Sequence, residues 1–281
     1  MAVIFKQADH SYHSMDPSED IQWVSVTTVV SQFKKPFDAK VQSKKSAKNR
    51  KSKWFGMTPS EIEQAWNAES DRAISLGTFY HNQREADLTL LNTISRGGVE
   101  VPVIKPPVID TDGIKRAPDQ KLVDGVYPEH FVYLKSAGIC GQSDLVEVVN
   151  GVVSITDYKT NKEIRTEGYK NWEGVVEKML NPVMHLDNCN FNHYSLQLSL
   201  YMYIILKHNP LLKAGDMCLH HVVFETEGSD KYGNPILRYN EQNGDPIVKD
   251  VKKMDVPYLK REVIDIINWV HEHRDEIKKK H

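Results

Sequence analysis

The chain has 281 residues, 40% of them hydrophobic and 26% charged, with a formal net charge of −2; this is ordinary for a globular protein, and any nucleic-acid role would need a local basic surface. Cys140, Cys189 and Cys218 are scattered without CxxC spacing, which speaks against a disulfide framework or a structural zinc site. No basic leader precedes an apolar run, and no stretch approaches the roughly 18 apolar residues of a membrane span, so a reduced, cytoplasmic protein without a membrane partner is expected.

In chain order, Val3–Phe5 reads as a short strand, and the β-branched run Val24–Val30 fits either a strand or the start of a buried helix. Between Lys34 and Lys53 nine basic residues, among them Lys44, Lys45, Lys48 and Arg50, face a single acid, Asp38. Such a run is either a solvated linker or a phosphate-tracking arm with Trp54 and Phe55 beside it as base-stacking rings. Thr58-Pro59-Ser60-Glu61 opens a helix with a hydroxyl cap and Pro in the first turn. A second helix is expected over about 71–91, with His81 and Glu85 four apart on one face. The Gly- and Pro-rich stretch 92–125 reads as loops with one short strand. A sheet starts near 130–134. Further on, a short helix at 172–180, a largely buried helix at 194–207 carrying Gln197 and Tyr201, and a strand at 218–225 paired with 236–239 are expected. An amphipathic helix over 256–280 closes the chain on Lys278-Lys279-Lys280, suited to its C-terminal dipole.

The chemistry concentrates in Gly141–Thr160. Asn150-Gly151 between Val-rich flanks signals a tight β-hairpin. With Val149 facing Val152, counting back places Asp144 opposite Asp157, and Lys159 shares the face of Asp157. Two carboxylates about 5 Å apart repel by roughly 3 kcal/mol at an effective dielectric near 20. Either the acids point to solvent, or a divalent cation relieves that repulsion, because Mg²⁺ is held by one or two carboxylates together with substrate phosphates.

Taken in order, Gly77/His81 on a helix, Asp144 and Asp157-Tyr158-Lys159 on a hairpin, and Gln197/Tyr201 on a later helix resemble the PD-(D/E)XK nuclease superfamily. The likeness is to its RecB-like exonuclease branch, which includes phage exonucleases and the mitochondrial genome maintenance exonuclease. It covers roughly residues 25–225, and Ser25-Val26-Thr27 is similar to an element near the start of such members. The resemblance implies an α/β fold with a mixed central sheet flanked by helices and a restriction-endonuclease-like αβββαβ core. On that expectation residues 1–281 form a single nuclease domain with its core at about 70–226. Residues 1–69, holding the basic segment 34–53, are an N-terminal extension, and 227–281 form a C-terminal hairpin and helix.

The resemblance further implies a metal-dependent DNA exonuclease acting on single strands or DNA ends in replication, recombination or repair. His81, Asp144, Asp157 and the Tyr158 carbonyl would hold Mg²⁺ or Mn²⁺, with Asp144, Asp157 and Lys159 catalytic. Gln197 and Tyr201 would line the site and contact DNA, alongside Lys44, Lys45, Lys48 and Arg50. Glu85 is either an orienting group behind His81 or a surface acid. Three dispersed cysteines cannot supply the four-cysteine iron–sulfur cluster of some relatives. A helicase, recombinase or single-strand-binding protein is the class of partner such an enzyme works beside. The competing readings are a structure-specific endonuclease of the same fold and a nucleic-acid-binding protein that does not cut.

Overall fold

The computed structural model describes residues 3–8, 11–171 and 173–277. A small sheet orders β2 (Ser11–Ser14), β1 (Val3–Lys6) and β6 (Ile114–Arg116). The Val24–Val30 run is both things its composition allowed: β3 (Val24–Ser25) leads directly into α1 (Val26–Ser31), which the Ser25 hydroxyl caps by accepting from the Thr28 N–H. The basic segment contains α2 (Ala39–Lys48), capped by Asp38.

The two helices expected over 58–91 are one, α3 (Pro59–Thr89), 31 residues long. Its start is the one read from the sequence, a capping box in which Thr58 and Glu61 satisfy each other's backbone N–H groups. Nothing breaks it before Thr89, because Gly77 sits within the helix with Thr160 close beside it. The stretch 92–125 holds more order than expected: besides β6, β4 (Thr93–Arg96) and β5 (Val99–Pro102) form a hairpin.

The main sheet is mixed. β7 (Gly125–Leu134), β8 (Ile139–Val149) and β9 (Val152–Lys159) run antiparallel in succession. α4 (Asn190–His208) then crosses to β10 (Lys213–Phe224), which pairs parallel to β9. β11 (Thr226–Ser229) and β12 (Pro235–Leu237) pair with each other, so β10 does not take 236–239 as its partner; it takes β13 (Val248–Asp255). No helix forms at 173–180, where isolated bridges tie Lys170 to Val176 and Lys178 to Asp187, and Trp172 lies outside the described residues. The closing helix, α5 (Lys260–Glu272), is shorter than expected, and Lys278–Lys280 lie outside the described residues.

Apolar periodicity explains the layering. α1, α4 and α5 bury Val29, Leu196, Leu200, Ile204, Val263 and Ile266 against one face of the sheet. On the other face, α3 packs Leu76 and Tyr80 against Tyr158, Val222 and Phe224. The fold is therefore a mixed sheet flanked by helices. Among the described residues no helix is long and apolar enough to cross a membrane.

Candidate metal centre

The hairpin register is the one counted from Asn150-Gly151. Both turn residues take positive φ, 51° and 73°, as a two-residue primed turn demands, and Val149 pairs with Val152 through to Leu145 with Thr156. Asp144 and Asp157 come one step later, where the regular pairing ends. From here β9 leaves β8, and the parallel β3 takes up pairing with β8 at Ile139 and Cys140. The parting strands stay tied by Asp144, whose Oδ2 accepts the Tyr158 backbone N–H at 2.8 Å.

On its other edge β8 pairs with β7, Pro128 with Leu145 and His130 with Ser143, which leaves Glu129 opposite Asp144. Glu129 has φ 47°, a conformation a glutamate rarely adopts and one that clusters at functional sites. Its effect is visible in the packing. Tyr127 on β7 and Val146 and Val148 on β8 face the larger core, but beyond the Glu129/Asp144 step Val132 and Ile139 do. Both strands thus invert their alternation at this step while keeping their register, which a regular strand of period two cannot do.

The inversion brings two carboxylates towards α3. His81 Nδ1 lies 3.4 Å from Asp144 Oδ1 and 3.8 Å from Glu129 Oε1, and the ligand atoms of the three residues all lie within 4.8 Å of one another. Two ligands of one Mg²⁺, each about 2.1 Å from it, sit roughly 3 Å apart when adjacent and about 4.2 Å when opposite, so the group fits one ion with small adjustments. The imidazole is set for this. Its Nε2 is 3.0 Å from the Tyr158 carbonyl, which can only accept, so Nε2 carries the proton and Nδ1 faces the acids, the usual way a ligating histidine is oriented. The Tyr158 carbonyl, expected as a ligand, is here engaged in aiming His81.

Glu129 has supports of its own. Gln142 donates from Nε2 to Glu129 Oε2 and accepts at Oε1 from Lys115 Nζ at 3.1 Å. Lys115 reaches in from β6, so the small N-terminal sheet contributes to this centre. Glu85 opens onto the same cleft as Glu129 and Lys115; burial raises its pKa, as does the Glu129 charge, against the pull of Lys115.

Asp157, only 1% exposed, does not join the His81 group. Apart from the Lys159 ammonium that pairs with its Oδ2, its carboxylate has no hydrogen-bonding partner among the described residues. Burial lowers the Lys159 pKa, but Asp157 and then Asp144 outweigh it and hold the amine well above the ordinary lysine value. Lys159 also lies 4.8 Å over the Tyr194 ring. Asp144 is pushed up to about 7, first by burial and then by the Asp157 charge. Burial would lower His81, but Glu129 and then Asp144 override it and raise it to about 9. His81 and Lys159 are the cationic groups set against these acids, and the Tyr158 N–H and the Gln142 amide add hydrogen bonds to Asp144 and Glu129.

The remaining expected site residues lie at different depths. Gln197 is half-buried and its Nε2 lies 3.3 Å from the Tyr201 hydroxyl. Tyr201 is 3% exposed and packs behind β8, where a Cβ on Gly141 would lie 2.9 Å from its ring. It backs the site rather than facing a strand. Lys44, Lys45, Lys48 and Arg50 are exposed on and just after α2, which docks on the start of α3 through a 2.7 Å hydrogen bond from Ser43 to Glu63. Glu63 and His81 are about 27 Å apart along the helix axis. Trp54 is not a free stacking ring: it is buried with Ile62 and Ala65 and packs on Trp66 and Tyr232. Phe55 is exposed.

Glu129, Gln142 and Lys115 were not singled out from the sequence. Counting back from the Lys135–Gly138 turn, as from Asn150-Gly151, places Glu129 opposite Asp144. Lys115 had no local signal, because its strand belongs to another sheet. No protein-family model, curated protein or solved structure matches the chain.

Proposed function

We propose that the protein is a metal-dependent deoxyribonuclease that hydrolyses phosphodiester bonds, acting as an exonuclease on single strands or DNA ends. The observation that carries the reading is the convergence of His81, Glu129 and Asp144 within 4.8 Å, beside a buried Asp157–Lys159 pair. An imidazole with two carboxylates suits Mn²⁺ as well as Mg²⁺. Two further features support it. The order α3, β7, β8, β9, α4, β10 follows the αβββαβ arrangement of restriction-endonuclease-like folds, and the motif order resembles the RecB-like branch.

A bound divalent ion would supply Lewis-acid polarisation of a phosphoryl oxygen and a water of lowered pKa. His81, Glu129 and Asp144 would hold it, with Gln142 and the Tyr158 carbonyl fixing the orientation of two of these ligands. Lys159, held protonated by Asp157 and Asp144, is not a base at neutral pH. It donates hydrogen bonds and charge to the phosphate as negative charge builds on its oxygens. Asp157 keeps the amine in place and charged. The basic face of α2, which docks on α3 about 27 Å from His81 along the helix axis, would engage the strand away from the cut.

The test is incubation of end-labelled single-stranded DNA with Mn²⁺, in parallel with closed circular DNA. Shortening of the linear strand by wild type, abolished in Lys159→Ala and by EDTA, is the expected result. Absence of cleavage by wild type, or undiminished cleavage by Lys159→Ala, would overturn it. Cutting of the circle would reassign the enzyme as an endonuclease.

A further inference from the structure

Beside the acidic cleft, on the other side of Gly77, lies a second cavity of opposite character. Its volume is about 240 Å³, and its floor is made by Leu76, Phe224 and Leu237. Three cations, Arg72, Lys162 and Lys249, line it, and no acid does. Thr160 and Asn161, which directly follow Lys159, form the wall towards the metal centre.

Arg72 is the telling group. Its Nε and Nη2 donate to Glu69 at 2.9 and 2.8 Å, whereas its buried Nη1 has no acceptor among the described residues. Buried donors in native proteins are nearly always satisfied, so an orphan on a cavity wall points to an absent acceptor. Lys162 stands 3.3 Å from the same Glu69 and 2.8 Å from Asn234, so one carboxylate is shared between two cations. A cationic wall over an apolar floor is the chemistry that accepts a phosphate and a base together.

The cavity also continues a surface. Its far wall is the β11–β12 hairpin, whose turn carries Lys231 and Tyr232. Tyr232 packs 5.5 Å from Trp54, and its carbonyl accepts from Lys53. Basic residues therefore run from α2 through Lys53 and Lys231 to Lys162 and Arg72, in a cavity whose Thr160 directly follows Lys159 in the chain.

Building on the nuclease reading, we infer that this cavity is a nucleotide subsite. It holds one unit of a single strand, its phosphate on Arg72, Lys162 and Lys249 and its base against Leu76, Phe224 and Leu237, next to the bond to be cut. Duplex does not fit, because a paired base cannot enter a cavity of this size without leaving its stack.

Binding without metal tests this separately from catalysis. Fluorescein-labelled oligo(dT) is titrated in EDTA at several salt concentrations, followed by anisotropy. Lys162→Gln/Lys249→Gln, at exposed positions that leave folding intact, should weaken binding at least 10-fold. The variant should also flatten the slope of log affinity against log salt by up to about 0.7, the share of the one single-strand phosphate that the subsite holds. Arg72→Gln in addition should weaken binding further, and dTMP at millimolar concentration should displace the oligonucleotide from wild type. Unchanged affinity and slope, or equal losses in a Lys207→Gln/Lys213→Gln control, would overturn the subsite. A protein that binds in this way but cleaves nothing would keep the subsite and lose the nuclease.

Discussion

The two ends of the β8–β9 hairpin obey different rules. At the turn end, Val146, Val148, Val153 and Ile155 are fully buried, apolar and paired in the register set by Asn150-Gly151. At the other end, Asp144 and Asp157 are also buried, but there the strands part and the core-facing pattern of β8 inverts. Burial stabilises the first end through the hydrophobic effect. At the second it raises the free energy of every charge unless something compensates. The same hairpin thus carries a stabilising half and a chemically active half, in line with the rule that natural sequences break local consistency at functional sites.

Substitutions can separate the halves. Asp144→Asn should show the largest effect, a loss of cleavage of about 10³-fold, of the order seen when a transition-state stabiliser is removed. Its Oδ1 can still accept the Tyr158 N–H, and it removes a repelled charge. It should therefore melt at or above wild type in EDTA at pH 8; a clearly lower melting temperature would show Asp144 to be chiefly structural. At the turn end, Val148→Ala should do the reverse. Loss of a fully buried side chain costs about 2 kcal/mol, read as a lower urea midpoint with unchanged m-value, while cleavage per folded molecule stays at the wild-type level.

Gln142→Ala removes the group that joins Lys115 to Glu129. Mn²⁺ affinity by calorimetry should fall about 10-fold, the usual cost of losing a partner behind a ligand; an unchanged affinity would mean that Glu129 needs no such support. The smallest and most gradual effect is that of pH. His81 and Asp144 titrate at about 9 and about 7 in the folded protein, above their ordinary values of 6.5 and 3.8. At these two residues the metal-free native state therefore binds more protons than the unfolded chain, and their contribution to stability falls as pH rises across these windows. Metal must displace the same protons. Melting curves in EDTA should accordingly decline from about pH 7 to 9, above the window in which His130 and His193, lowered by burial to about 4 and about 3, add stability as pH rises, and the gap between Mn²⁺ and EDTA curves should widen with pH. A constant or narrowing gap would show that these two residues are not the ligands.

Several parts of the molecule were legible because their causes are local. The Thr58–Glu61 capping box, the Asn150-Gly151 turn and the apolar spacing of α4 each depend on residues within a few positions of one another. Asp144, Asp157 and Lys159 were reached by counting from one such turn. The union of two expected helices into α3 was less legible, since the glycine at position 77 weakens a local helix signal but is tolerated once the helix packs on the sheet. Trp54 was misread for a related reason: a ring beside lysines is free to stack only if no core claims it, and Trp66 and Tyr232 do.

By itself, then, the sequence determined the hairpin, its register and the helix starts, because turn chemistry and side-chain period act over a few residues. Only the tertiary structure decided the third member of the His81 group, the route by which Lys115 supports it, and the orphaned Arg72 donor beside the cationic cavity. Each of these depends on elements far apart in the chain. β6 meets β8 only through the small sheet, and α3 meets the β11–β12 hairpin only in the folded molecule. Glu129 above all takes a backbone conformation that its own residue type disfavours, one that persists because the strands around it hold it there.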